Sequence, residues 1–399
     1  MRILEIITVP FFTPRGTSFS SLERTRAFAE LGHQVDILTY GIGEDVELPR
    51  VRIFRIPSFF VRSLRMGPSL PKLLFDVFLA WKTFWHLCFR GPYDLVHVHE
   101  ESAYWVAFMA SLHRGPVLYD MHSSLVEQLE NFGTGGGGVV RSALQGLFRR
   151  LERRAIACAR VVIVICPDLR ETVRRLVPNA SVHLIENLPV GWDLASPREE
   201  DVAALRSKLG LDGARSILYT GTFGENQGIE FTLDALALVL EERPETRLLL
   251  VGGSGQDMLR VRNYVSARGL DARVVLQNPR PYQEMPLYMA AADVLVSPRT
   301  RGTNTPLKIY SYLASGKPIV ATNLHSHTQV LNDSIACLVD QDPGALAAGL
   351  LRVLNEPDYA ARLGRAGAEV ADRKYGIGRY MREVSSALEE VQDARSSAN

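Results

Sequence analysis

Residues 297–322 read SPRTRGTNTPLKIYSYLASGKPIVAT. The apolar run 293–297 leads into a loop carrying Arg299 and Arg301. Asn304, Thr305 and Pro306 then place a capping side chain ahead of a proline at the first helical position, and the β-branched run 318–322 follows the helix. Free amides at the helix start, its positive end, two guanidiniums and Lys308 converge within one turn, which is the physical recipe for holding a diphosphate. A solvated basic helix face is the competing reading.

The same rhythm of short apolar strands and intervening helices extends in both directions. Upstream, strands are expected at 2–7, 34–40, 51–56, 94–99, 116–120, 161–166 and 181–185. After a polar stretch they resume at 216–219, 247–251, 273–276, 293–297, 318–322 and 336–339. Near-continuous apolar strands separated by helices predict parallel sheets covered on both faces. The expectation is therefore an α/β protein of two Rossmann-like, doubly wound domains facing across a cleft, divided near 188–213. The bounds expected are 1–190, 191–375 and a C-terminal helix at 376–399 that crosses back to the first domain. Ligands in such sheets sit beyond the carboxyl ends of the strands.

Composition agrees with a globular chain: of 399 residues, 46% are hydrophobic and 22% charged, and 45 basic against 44 acidic side chains leave a net charge of +1. That balance gives no reason to expect nucleic acid as partner. Cys88, Cys158, Cys166 and Cys337 follow no CxxC spacing, and no leader-like segment precedes the first strand, so a reducing cytoplasm is expected. Leu70–Phe89 matches a membrane span in length, but Lys72, Asp76, Lys82 and His86 argue against one.

The loop after the first strand, PFFTPRGTSFS at 10–20, contains a single glycine. A dinucleotide fingerprint needs three, so NAD binding is not expected. Gly16 and Thr17 at a helix start still offer amides to an anion, and a plain βα turn is the alternative.

Taken together, TPLKIYSYLASGKPIVAT, LRVLNEPDYAARLGRAG (351–367), ADVLVSP (292–298), LLLVGGSG (248–255) and LYTGTF with QGIEFTLDAL (218–237) resemble the nucleotide-sugar glycosyltransferases of family 4. The first half is similar too, in residues 10–39, YDLVHVHEESAYWVA (93–107) and YDMHSS (119–124). The resemblance implies the GT-B fold and transfer of a sugar from a UDP- or GDP-sugar to a glycan or lipid-linked acceptor in envelope polysaccharide or glycoconjugate synthesis. It further implies retention of configuration and no metal. His122, Lys308 and Arg299 would then be catalytic. The donor would lie on Gly16, Thr17, Gly221, Thr222, Gly252, Gly253, Arg301, Thr303, Asn304, Thr305, Pro306, Leu307 and Ser311, and the acceptor on Arg15, His99 and Glu100.

The sequence departs from the family pattern where two glutamates are customary, at Thr303 and Ser311, and where an arginine and a lysine are frequent, at Thr222 and Gln227. A variant donor pocket, with Arg299, Arg301 and Lys308 compensating, is one consequence. A catalytically silent nucleotide-sugar binder that partners an active transferase is the other. A metal hydrolase built on His97 and His99 or on His325 and His327 is a weaker alternative, because such a site needs three converging ligands. Asp340-Gln341-Asp342 looks like a cation-binding DxD, but Asp342 before Pro343 reads as a helix cap. Basic and aromatic residues interleave over 59–90 and 141–154, through Arg62, Arg65, Lys72, Lys82, Arg149, Arg150, Arg153 and Arg154. Peripheral contact with an anionic membrane is expected from that mixture, beside the plain reading of core-facing helices with wet basic faces.

Overall fold

A computed structural model describes residues 1–13, 16–58, 61, 70–113, 115–125 and 138–396. Arg15, Arg62, Arg65 and the glycine-rich stretch 133–137 lie outside the described residues, as does the side chain of Arg141.

Two compact units account for the chain. The first comprises Met1–Glu186 together with the stretch from Tyr380 onward, and the second comprises Asn187–Arg379. In the first unit, seven parallel strands run β1 (Arg2–Ile7), β2 (Gln34–Thr39), β3 (Val51–Arg55), β4 (Leu95–His99), β5 (Val117–Met121), β6 (Val161–Val164) and β7 (Val182–Leu184). Their spatial order is β3-β2-β1-β4-β5-β6-β7. In the second unit the strands are β8 (Ser216–Thr220), β9 (Arg247–Val251), β10 (Val274–Gln277), β11 (Val294–Ser297), β12 (Ile319–Thr322) and β13 (Cys337–Val339), ordered β10-β9-β8-β11-β12-β13. All thirteen strands fall within two residues of the runs that predicted them.

The apolar character of these strands has its cause in their burial on both faces. Every residue of β4, β5, β6, β11 and β12 is buried. A fully buried Leu, Ile or Val contributes roughly 1.5–3 kcal/mol, so each central strand anchors its sheet. In both sheets the order reverses beside the first strand, between β1 and β4 and between β8 and β11. Neighbouring connections leave in opposite directions there, and the carboxyl ends open a crevice for a ligand.

The last helix, Ile377–Ser396, packs on the first unit through Tyr380, Val384, Ala387, Leu388 and Val391, a stripe at helical spacing. His183 and Glu390 meet at 2.9 Å on the same surface.

Candidate active site

In the second unit, β11 delivers the loop 298–307 to the switch point beside β8. Arg299 organises that loop: its Nε donates to the Arg301 carbonyl at 2.7 Å and its Nη1 to the Asn304 carbonyl at 2.7 Å. Gly302, at φ +132°, makes this possible, because a Cβ there would run into the guanidinium. The loop root is fixed by the buried His327, whose ring nitrogens meet the Ser297 hydroxyl at 2.9 Å and the Thr322 carbonyl at 2.8 Å. Gln329 donates to the Thr303 carbonyl at 2.7 Å, and the Thr300 amide donates to the Asn226 carbonyl at 3.0 Å.

Two sequence expectations are corrected here. The helix begins at Lys308, not at Pro306; its N-cap is Leu307, and no side chain caps it. The segment before it is closed by tight turns, with Ile309 N bonded to the Pro306 carbonyl and Tyr310 N to the Leu307 carbonyl. Arg299, expected to point at a diphosphate, instead turns its guanidinium inward onto the loop's own carbonyls. Arg301 remains exposed.

Lys308 is different. Its Nζ is buried with no hydrogen-bond partner among the described residues, 3.6 Å from the centroid of the Tyr219 ring. Burial, and then the positive charge of Arg299, push its pKa well below the usual lysine value. A Cβ at Gly221 would stand 3.1 Å from that Nζ, so the glycine lets the ammonium lie against the backbone after β8. Thr305 Oγ1 is also buried without a partner. The Tyr219 hydroxyl donates to the Thr222 carbonyl at 2.7 Å and lies 3.1 Å from Gln227 Oε1. Ser311 accepts from the Val190 amide at 2.8 Å. Gly252 adopts φ +118° and Gly253 lies against the Phe223 ring, so both glycines are required by close approach.

In the first unit, strand register assembles a second cluster. Glu5 pairs with His97 across β1 and β4, and His99 pairs with Asp120 across β4 and β5. Since His97 and His99 are two residues apart, all four side chains project from one face of the sheet. His99 Nε2 meets Glu5 Oε1 at 2.8 Å, and His99 Nδ1 meets His122 Nε2 at 3.2 Å. His97 lies 3.2 Å from Glu5 Oε1 and 3.6 Å from Asp120 Oδ2. Arg24, from the helix Gly16–Glu30, donates to Asp120 Oδ2 at 2.9 Å.

Burial alone would raise both carboxylates, but the hydrogen bonds of His97 and His99 bring Glu5 down to about 2, and Arg24 with the histidines holds Asp120 well below its usual range. Burial opposes charge on His97, yet Asp120 and Glu5 raise its pKa. His122 is driven down to about 4, chiefly by burial. Arg24 and the histidines thus surround the two carboxylates of Glu5 and Asp120.

The two histidine pairs considered for a metal belong to different units. His97 and His99 join Glu5, and His99 joins Asp120 and His122, as trios whose donor atoms lie within 4.8 Å of one another. His325 and His327 belong to the other unit. Asp342 caps the helix Pro343–Asn355, accepting from the Ala345 amide at 2.9 Å.

At the rim, Glu100 takes a left-handed backbone at φ +48° and accepts from the Ser123 hydroxyl at 3.2 and 2.9 Å. Burial, and then Glu101, raise the Glu100 pKa. Glu101 binds Lys72 at 2.8 Å and accepts from Thr8 at 3.0 Å. Gly16 opens its helix with nothing within 4 Å of where a Cβ would stand. Sequence reasoning missed Glu5, Arg24, Asp120 and Glu101. The one available signal was Glu5, a lone carboxylate inside the apolar run RILEII.

Two family models match the chain, "Glycosyl transferase 4-like domain" over residues 16–187 and "Glycosyl transferases group 1" over 214–356. The chain is a nucleotide-sugar-dependent glycosyltransferase of the GT-B fold, related to family 4. Among its relatives, the phosphatidyl-myo-inositol mannosyltransferase of Mycobacterium tuberculosis is 26% identical, with 98% of this chain and 97% of that protein covered. The D-inositol 3-phosphate glycosyltransferase of Thermobispora bispora is 27% identical, covering 94% and 91%. Among solved structures, the sucrose-phosphate synthase of Thermosynechococcus elongatus superposes with a TM-score of 0.79 at 23% identity, covering 98% of this chain and 99% of that one. The transferase acts in glycan or lipid biosynthesis. Among its described residues, no helix is long and apolar enough to cross a membrane.

Proposed function

We propose that this transferase takes its sugar from a UDP- or GDP-sugar bound by the second unit and passes it to a polyol or lipid-linked acceptor bound by the first. The observation that carries the donor half is the pair of buried polar atoms without partners, Lys308 Nζ and Thr305 Oγ1, at the β8–β11 switch point. A buried amine without an acceptor is costly, and a diphosphate removes that cost. As the bond to the sugar breaks, the leaving diphosphate gains negative charge, and Lys308, already in place, stabilises it. Asn304, Pro306, Leu307 and Ser311 shape the pocket around Lys308, with Gly221, Thr222, Gly252, Gly253 and Thr303 along its walls. Arg299 acts by holding the loop, and Arg301 by its charge at the exposed rim.

On the first unit, Gly16 and Thr17 offer amides to an anion at the helix start, and Arg15, next in sequence, serves the acceptor. His122 stands at the reaction centre, and His99 and Glu100 hold acceptor hydroxyls. The names of both relatives involve inositol, which supports a polyol head on the acceptor. Family resemblance supports retention of configuration without a metal.

The membrane supplies lipid-linked acceptors, and one surface of the first unit suits it. Leu70, Leu73, Val77, Trp81, Trp85 and Phe89 are exposed along one stripe of the helix Leu70–Phe89. Exposed Phe108 lies under the guanidinium of Arg154, which belongs to a basic run with exposed Arg149, Arg150 and Arg153. Aromatic anchors beside basic groups match an anionic lipid interface. The stripe and the basic run support peripheral contact of a cytoplasmic enzyme with the inner face of the membrane. Sedimentation with phosphatidylglycerol vesicles, lost in a Trp81→Ser/Trp85→Ser variant, tests this; equal sedimentation of both proteins removes the stripe from the reading.

Calorimetric titration with UDP and GDP, with and without magnesium, tests the donor site. One nucleotide should bind without magnesium and bind more weakly to Arg299→Ala and Lys308→Ala. No binding of either nucleotide would sink the donor assignment, whereas nucleotide binding without turnover on any donor and acceptor would favour a silent nucleotide-sugar binder that partners another transferase.

A further inference from the structure

Arg24 is among the largest fully buried side chains of the protein, and its Nη1 finds no hydrogen-bond partner among the described residues. A buried guanidinium kept for stability alone is a poor bargain, since well-packed apolar residues usually serve as well or better. Its surroundings are specific. Nε holds Asp120 Oδ2 at 2.9 Å, and the opposite carboxylate oxygen, Oδ1, lies 3.5 Å from His122 Nε2 and has no hydrogen-bond partner among the described residues. Behind the guanidinium stands the ring of Tyr380, with Arg24 Cζ 5.2 Å from its centroid. Tyr380 is the residue at which the chain re-enters the first unit after completing the second.

We propose that Arg24 is a positioning residue for the transfer reaction, fixing Asp120 beneath His122, and that Tyr380 of the last helix holds Arg24 in that pose. The inference rests on the reading of His122 as the reaction-centre histidine. Its physical content is orientation. Asp120 and His99 together decide which way the His122 ring turns and which nitrogen bears its proton, and a carboxylate anchored by a rigid guanidinium fork cannot swing away. The groups facing His122 are Asp120 from β5, His99 and His97 from β4, Glu5 from β1 and Arg24 from the helix Gly16–Glu30. From the last helix, Tyr380 supplies an aromatic face to Arg24. A ring face attracts a desolvated cation, so the tyrosine adds to the support that the charge draws from Asp120 and Glu5.

The test compares kcat, the donor and acceptor KM and a histidine NMR titration across variants of the full chain. Arg24→Gln leaves Asp120 without its countercharge, so the His122 resonance should titrate about one unit or more higher. Its kcat should fall about tenfold or more, with the donor KM within about twofold of wild type. Tyr380→Phe, which keeps the ring, should match wild type, whereas Tyr380→Ala should move toward Arg24→Gln. Because Arg24→Gln could fail to fold, the neutral pair Arg24→Gln/Asp120→Asn is the deciding variant. If the ion pair is only structural, the neutral pair recovers both stability and wild-type kcat, which overturns the proposal. If it positions His122, stability returns and kcat stays low. His122→Ala separates the two levels: full activity in that variant overturns the reading of His122 itself, whereas its loss beside an active neutral pair overturns only the role of Arg24.

Discussion

The ammonium of Lys308 lies 3.6 Å from the centroid of the Tyr219 ring and makes no hydrogen bond to any described residue. The ring face compensates part of its desolvation, and the rest awaits an anion. The electrostatics of the donor pocket follow from this pair. Without ligand, burial favours the neutral amine; a diphosphate holds the proton on.

Lys308→Met tests this relationship directly, because methionine keeps the stem against Tyr219 and removes the charge. Nucleotide affinity should fall about ten- to hundredfold, the value of a charge-assisted hydrogen bond, with the melting temperature unchanged or higher. Calorimetry and thermal denaturation read the two effects separately. Wild-type affinity in the variant would remove Lys308 from the donor site.

Arg299→Ala should behave oppositely. Two loop carbonyls, of Arg301 and Asn304, lose their donor, so stability should drop by about 1–3 kcal/mol and the donor KM should rise as the loop loosens. Arg299→Lys should recover only part of either effect, since an ammonium cannot span both carbonyls as a planar fork does. Urea denaturation beside steady-state kinetics checks the pair; an Arg299→Ala protein as stable as wild type refutes the anchoring role.

Gly252→Ala should destabilise the protein by about 1–3 kcal/mol and weaken nucleotide binding. At φ +118° an alanine is strained, and its Cβ meets the backbone of Gly221, the residue against which Lys308 lies. Gly210→Ala, with nothing within 4 Å and φ +66°, controls for strain alone. If both alanines weaken binding equally, the close approach to Gly221 has no special role.

Acid should unfold the protein in two stages. The native pKa values of His86, His122 and His327 are lowered to about 4 from 6.5, mainly by burial, so the unfolded chain binds more protons below pH 6.5. Stability should therefore fall as pH drops from about 6.5 to 4. Glu5, lowered from 4.5 to about 2, adds stability that is complete above 4.5 and lost as pH falls toward 2. His97 acts in the other sense: its raised pKa adds stability below 6.5 that disappears as pH rises through its native value. Denaturation midpoints measured from pH 3 to 8 report the sum, and a flat profile between 4 and 6.5 would contradict the buried neutral histidines.

The sequence by itself determined the strands. Runs such as 161–166 and 336–339 are apolar throughout because parallel strands bury both faces, and that requirement is local enough to be written into four to six consecutive residues. It also determined the chemistry available after β11, since Arg299, Arg301 and Lys308 fall within ten residues. Only the tertiary structure decided how those groups are used. Asn304-Thr305-Pro306 has the composition of a helix start, but the helix begins at Lys308, because tight turns occupy the positions before it. Arg299 has the charge to meet a phosphate, yet its Nε and Nη1 are given to the loop's own carbonyls. Glu5, Arg24, Asp120 and Tyr380 come from distant parts of the chain, and no local pattern links them. Strand register places Glu5 and Asp120 on one face with His97 and His99, and burial makes each of their charges depend on the others. Low dielectric couples charges by distance in space, and distance in space is what a linear reading lacks.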